Sequence, residues 1–208
     1  MEKFNILKGV AAPLMQDNIN TDAIIPADWL RSVHADHSEG LFGRWRYNED
    51  GEENPDFLLN EPRYRGARIL IAGRNFGCGS SRENAVWALL AYGIRCVIAP
   101  SFGDIFRENG TKNGLLAIRL STEFINAIAA EFPPFNGPAE MTVDLIEQRL
   151  TTPTGRIVPF DIDARIREVL LAGLDQVDRT LQHHDSIAEH QVQDRIDRPW
   201  AYPQMVSN

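Results

Sequence analysis

Cysteine is scarce: only Cys78 and Cys96 occur in 208 residues. One disulfide is the most the chain could form, which excludes a cross-linked secreted scaffold and points to a reducing compartment with both thiols free. Basic residues are outnumbered, 21 Lys and Arg against 29 Asp and Glu, and the formal charge of −8 argues against nucleic acid as a partner. Long apolar runs are missing too. No stretch reaches the roughly 20 residues that a bilayer-crossing helix needs, and Met1-Glu2-Lys3-Phe4 has neither the basic start nor the apolar core of a secretory signal. A cytoplasmic location away from membranes is the expectation. The remaining composition, 43% hydrophobic and 24% charged, suits a globular chain with a single sizeable core. We expect one domain over residues 1–184 and a polar tail over 185–208.

What is present is concentrated in one turn. Residues 73–82 read Gly-Arg-Asn-Phe-Gly-Cys-Gly-Ser-Ser-Arg, between the apolar run Ala67-Arg68-Ile69-Leu70-Ile71-Ala72 and a helix-like run from Glu83 to Tyr92. Gly77 and Gly79 remove the Cβ atoms that would block close backbone approach. Ser80 and Ser81 add hydroxyls, and Arg82 adds a fixed fork of donors beside a helix N-terminus. Such a turn suits a carboxylate or phosphate. It is not a nucleotide P-loop, because Gly79-Ser80-Ser81 lacks the lysine that reaches the terminal phosphates. A dinucleotide fingerprint starting at Gly77 would need glycine where Arg82 stands. The Gly-x-Ser-x-Gly elbow of hydrolases is not matched either, and no histidine lies near in sequence, so a serine here would need electrostatic activation. Cys78 reads as a small residue filling the turn, and Cys96, in Arg95-Cys96-Val97-Ile98-Ala99, as core.

Elsewhere the pattern is of alternating elements. Val10–Leu14 reads as a short strand leading into Asp17-Asn18-Ile19-Asn20-Thr21-Asp22, rich in turn and cap formers. A short helix is expected over Asp28–Val33, then a polar loop from His34 to Gly40; with the acidic stretch Asn48–Pro55 this makes a weakly structured insertion, about 31–60, suited to recognition. His34, Asp36, His37 and Glu39 match no metal-ligand spacing and read as exposed loop. A strand at 67–72, a helix at 83–92 and a strand at 96–99 form one parallel strand-helix-strand unit. A helix capped by Ser101 and ending near Asn109-Gly110 should follow, then a strand at Leu115–Ile118 and a helix from Glu123 to Glu131 stopped by Pro133-Pro134. Met141–Leu145 and Arg156–Phe160 are expected to pair as a hairpin, and Asp163–Ala172 to form a helix stopped by Gly173. The fold class is layered α/β with mixed parallel and antiparallel strands.

Two separated signatures, Asn20-Thr21-Asp22-Ala23-Ile24-Ile25-Pro26 and Asn75-Phe76-Gly77-Cys78-Gly79-Ser80-Ser81-Arg82-Glu83, carry a resemblance to the 3-isopropylmalate dehydratase small-subunit family of the aconitase superfamily. Val97–Phe102, Asp104-Ile105-Phe106, Asn113–Leu116 and Thr180–His183 extend it. The resemblance implies a swivelling β/β/α domain like the aconitase C-terminal domain, and a large subunit as partner that carries a 4Fe-4S cluster. No cofactor is expected on this chain, because two cysteines at this spacing suit no cluster motif. The resemblance also implies a small dicarboxylate substrate, 2-isopropylmalate, isomerised through isopropylmaleate in leucine biosynthesis. By motif match Ser80 would be the base. Arg82 would clamp a substrate carboxylate with Ser81 and Gly79 assisting, and Asn75, Thr21 and Asp22 would support the site. Asp22 could equally be a helix cap that fixes its loop.

Some positions depart from the family pattern. Asn84 stands where histidine is usual, Ala117 where proline is usual, Asp178-Arg179 replaces an apolar pair, and Val33–Gly40 lacks an arginine-bearing segment. These departures leave open a paralogous hydratase subunit for another substituted malate or maleate, such as citraconate or dimethylmaleate. A non-catalytic anion-binding subunit is the further alternative.

Overall fold

The first strand, β1 (Ile6–Leu14), is nine residues long and serves two sheets' worth of pairing. Its first half, from Ile6 to Val10, runs antiparallel to β5 (Glu140–Asp144), and its second half, from Ala11 to Leu14, runs parallel to β2 (Ile69–Ala72). The computed structural model describes residues 1–30, 36–79, 82–132 and 139–202. Around β1 a seven-stranded sheet forms in the order β4-β3-β2-β1-β5-β6-β7, with β3 at Cys96–Ala99, β4 at Leu116–Arg119, β6 at Arg149–Thr151 and β7 at Ile157–Pro159. The β4-β3-β2-β1 half is parallel and the β1-β5-β6-β7 half antiparallel. Every residue of β2 and β3 is buried. That is why both read as unbroken apolar runs, as strands covered on both faces do. The expected parallel pairing across the strand-helix-strand unit is present, with Ile69 opposite Cys96 and Ile71 opposite Ile98.

The helices among the described residues are α1 (Thr21–Ile24), α2 (His37–Gly40), α3 (Gly43–Arg46), α4 (Asn84–Tyr92), α5 (Asp104–Asn113), α6 (Thr122–Ala129), α7 (Ala164–Ala172), α8 (Gln176–Leu181) and α9 (His184–Asp197). Helix α4 buries Ala85, Val86, Ala88 and Leu89 and ends on Gly93 at φ +110°. Ala91 is exposed. Helix α7 starts on Asp163, whose carboxylate accepts from two backbone N–H groups, and stops at Gly173 at φ +66°, as expected.

Several boundaries differ from expectation. Met141–Leu145 and Arg156–Phe160 do not pair directly, because β6 lies between their strands. Gln148 adopts a left-handed turn conformation, φ +52°, and the Asp144 carboxylate accepts the Glu147 N–H at 2.9 Å, so the chain reverses without a glycine. Helix α5 begins after Gly103, not Ser101, and runs through Asn109-Gly110 to end at Gly114, φ +89°. The short helix expected at Asp28–Val33 is a 3-10 turn at Ala27–Leu30, and its remainder lies outside the described residues. The expected polar loop contains α2, started by Asp36, whose carboxylate accepts from the Ser38 N–H; His34 and Ala35 lie outside the described residues. Pro133-Pro134 also lies outside them.

By compactness the chain divides into residues 1–173 and 174–208. The second unit is helical where described: α8 opens with a reciprocal cap between Asp175 and Asp178, and α9 buries no residue.

Candidate functional site

Because β1, β2 and β3 are parallel, the loops that follow them leave from one edge of the sheet, the edge where open α/β sheets bind ligands. The loops after β1 and β2 hold the two sequence signatures. They are laced together residue by residue. Asp17 accepts from the Arg74 backbone N–H at 2.7 Å and from its guanidinium at 2.8 and 3.0 Å. Asn18 N–H donates to Arg74 O at 2.8 Å, Gly77 N–H to Ile19 O at 2.7 Å and Thr21 N–H to Cys78 O at 3.0 Å. Asn75 takes φ +60°, a conformation its short polar side chain tolerates, and its amide donates to Asn18 Oδ1 at 2.9 Å. The guanidinium of Arg74 holds the Asp17 carboxyl below the ordinary aspartate range.

The loop after β3 closes the third side. Phe76 N–H donates to Ser101 O at 3.0 Å, and Gly103 N–H donates to Phe76 O at 2.9 Å. Ser101, expected as a helix cap, instead accepts the Asn75 backbone N–H on its hydroxyl at 2.9 Å. Two glycines are dictated by this packing. A Cβ on Gly77 would lie 2.2 Å from the Phe106 ring, at φ +71°, and one on Gly103 would lie 2.5 Å from Gly77 O. Gly79 also has a positive φ, +91°, but among the described residues a Cβ there would make only ordinary contacts, with Asn20 Cβ at 3.5 Å and Thr21 Oγ1 at 3.9 Å.

A cavity of about 300 Å³ opens over this junction, lined among others by Thr21, Gly79, Arg82, Asp104 and Phe106. Arg82 is its one cationic lining side chain among the described residues, and its Nη1 lies 2.5 Å from Asp22 Oδ1. That nitrogen is buried and makes no aligned hydrogen bond among the described residues, so the contact is one of charge and not of hydrogen-bond geometry. The cap of α1 is Asn20, whose Oδ1 accepts the Ala23 N–H at 2.8 Å, so Asp22 is released from the capping role the sequence allowed it. Thr21 is buried and Asp22 half-exposed. Ser80 and Ser81 lie outside the described residues. Gly79, Arg82 and Thr21 thus line one cavity, Asp22 reaches it only through its contact with Arg82, and Asn75 stands in the framework behind.

The start of α4 is anchored away from the cavity. Glu83 accepts from Asn113 Nδ2 at 2.7 Å, and Trp87 Nε1 donates to Asn113 Oδ1 at 3.1 Å, which ties α4 to α5. Sequence reasoning missed this network and the Asp17–Arg74 clamp. The only signal for either was the density of Asx residues before Thr21 and the Asn113-Gly114 pair. Neither cysteine is bridged. Cys96 is fully buried, and burial pushes its thiol well above the ordinary range. Among the described residues no group of three His, Cys, Asp or Glu is placed to hold a metal, and no helix is long and apolar enough to cross a membrane.

A family model described as the aconitase C-terminal domain matches residues 1–123, and one described as LeuD_N matches residues 135–164. The 3-isopropylmalate dehydratase small subunit of Rhizobium etli (strain CIAT 652) is 50% identical over 202 residues, 97% of this chain and 100% of that relative. The protein of the same name from Afipia carboxidovorans is 48% identical over 201 residues, 96% of this chain and 100% of its own length. The crystal structure of 3-isopropylmalate dehydratase (leuD) from Methanocaldococcus jannaschii superposes with a TM-score of 0.64 at 27% identity, over 89% of this chain and 99% of that one.

Proposed function

The chain belongs to the 3-isopropylmalate dehydratase small-subunit family, and from that premise we propose that it is the small subunit of a two-subunit hydro-lyase of leucine biosynthesis. The assembly would convert 2-isopropylmalate to 3-isopropylmalate through isopropylmaleate, in the cytoplasm. The observation that carries the reading is Arg82: a guanidinium on the wall of a small cavity, over a glycine turn, with a buried nitrogen that has no aligned acceptor among the described residues. A carboxylate supplies two such acceptors in the geometry of the fork.

In this reading Arg82 holds one carboxylate of the substrate, with Gly79 giving backbone access and the Ser81 hydroxyl assisting. Ser80 is the base. As an alkoxide it takes the proton from the carbon next to a carboxylate; the electron pair of that C–H bond forms the double bond as hydroxide leaves the neighbouring carbon. Readdition of water with the positions exchanged gives the isomer. A serine hydroxyl is a very weak acid, so its pKa must be drawn far down by preorganised N–H groups and the Arg82 charge. Thr21 and Asn75 support the turn through the bonds described above, and Asp22 through its charge contact with Arg82. The 4Fe-4S cluster that the family implies finds no donor set here: Cys96 is sealed in the core, which leaves Cys78 alone. It is assigned to the large subunit.

The test is kinetic, in the complex with the large subunit encoded in the same genome, under anaerobic conditions. Ser80→Ala should assemble normally and lose about 10²- to 10⁴-fold in kcat, the usual contribution of a positioned base. Arg82→Lys, which keeps the charge but not the fork, should raise KM for 2-isopropylmalate. Full turnover by Ser80→Ala would overturn the base assignment, and an unchanged KM in Arg82→Lys the carboxylate assignment. One observation favours a second reading. Two of the sequence departures meet: His37 of the altered loop lies 3.3 Å from Asn84 Nδ2 and packs edge-on against Trp87. A reshaped loop contact of this kind could admit a smaller acid, and a higher kcat/KM for citraconate or dimethylmaleate than for isopropylmalate would select that reading.

A further inference from the structure

Asp22 sits half-exposed on the second residue of α1, and its carboxylate bridges 60 positions of sequence to meet Arg82 at 2.5 Å. The seat that a substrate carboxylate needs is therefore already taken by a carboxylate of the chain. Asp104 also lines the cavity, but it is 92% exposed and its charge partner is Arg119, at 3.8 Å, so it does not compete for the same fork. We propose that Asp22 is an internal ligand of Arg82 which an incoming carboxylate displaces, so that Asp22 sets how tightly this turn holds dicarboxylates. The inference rests on the reading of Arg82 as the carboxylate holder.

Three physical points support displacement over permanent pairing. The Asp22 contact is not aligned as a hydrogen bond, whereas a free carboxylate can turn to make two parallel N–H···O bonds to the fork. Both partners are partly exposed, 31% and 49%, so water and salt weaken the pair and lower the cost of opening it. When no ligand is bound, Asp22 supplies the counter-charge that a partly buried guanidinium would otherwise lack. A ligand competes with this resident carboxylate, and its apparent affinity is its intrinsic affinity multiplied by the fraction of molecules in which Arg82 is unoccupied.

The test is equilibrium titration of the full-length chain with succinate, a plain dicarboxylate, at low and constant ionic strength, for the native protein, D22N, D22S, D22E, and D22N with R82Q. Thermal melts establish that each variant is folded. D22N and D22S should bind succinate about 2- to 5-fold more tightly than the native chain, the range expected from losing a partly exposed ion pair. D22E should return to native affinity because it restores a competing carboxylate. Tighter binding in D22N that R82Q abolishes supports the inference. Equal or weaker binding in D22N and D22S, including no binding by any of the proteins, overturns it. Binding that survives R82Q overturns the assignment of Arg82 itself, and the inference with it.

Discussion

Gly77 is where the architecture of the site is least forgiving, and replacing it with alanine separates packing from backbone conformation. Its φ of +71° alone costs a residue with a Cβ about 1–2 kcal/mol. The new methyl would stand 2.2 Å from Phe106 Cγ. That ring cannot swing aside, since it is 3% exposed and set edge-on against Phe76 at 5.3 Å and stacked with Phe102 at 6.5 Å. Overpacking of this kind adds about 1–3 kcal/mol, so Gly77→Ala should destabilise by about 2–5 kcal/mol. For a chain of this size that lowers Tm by roughly 4–20 °C. Gly79→Ala is the control: its φ is also positive, at +91°, but the nearest atom to the added methyl among the described residues is 3.5 Å away. Only the conformational cost of about 1–2 kcal/mol should remain. Differential scanning calorimetry of both variants measures the difference. Equal melting temperatures would refute the claim that contact with Phe106, and not φ alone, requires glycine at 77.

Two further outcomes follow, one from the clamp behind the site and one from a buried arginine in the inserted segment. Asp17 has its pKa lowered by Arg74 relative to about 3.9 in the unfolded chain, so its contribution is present above that value and lost as pH falls through the folded value. The Tm gap between the native protein and Asp17→Asn should be constant near neutrality and shrink as pH drops below about 4; a gap that grows on acidification would contradict the assignment. Arg46 is buried and donates from Nη1 to Ser38 O at 2.8 Å while lying over the Tyr47 and Tyr92 rings. Arg46→Met should cost about 1.5–3 kcal/mol, the worth of a charged hydrogen bond, and should speed proteolysis within residues 36–60, measured by limited digestion and mass spectrometry.

How much was legible in advance depended on whether a residue's constraint was local. The buried strands β2 and β3 announced themselves because a strand covered on both faces must be apolar throughout. The glycine turn was legible for the same reason: positive φ at 77 and 79 demands the residue type that the sequence shows. Errors arose where a distant partner decided the outcome. Ser101 looked like a cap but is engaged by Asn75, 26 positions away. Gly110 looked like a helix stop, yet it lies inside α5 and packs at Leu115, while Gly114 does the stopping. Strand β6 was hidden because the turn before it uses Gln148 in place of glycine. Asp22 could not be resolved from spacing, because Asn20 and Asp22 are both cap-forming residue types, and only the folded chain shows Asn20 accepting the Ala23 N–H while Asp22 faces Arg82.

The central claim is that this chain supplies an essential part of an active site divided between two polypeptides. It is tested most directly by assaying 2-isopropylmalate isomerisation with the purified chain, the purified large subunit, and their equimolar mixture, all anaerobically. The account predicts turnover in the mixture and none in either component alone. A large subunit that reaches the rate of the mixture without this chain would contradict it.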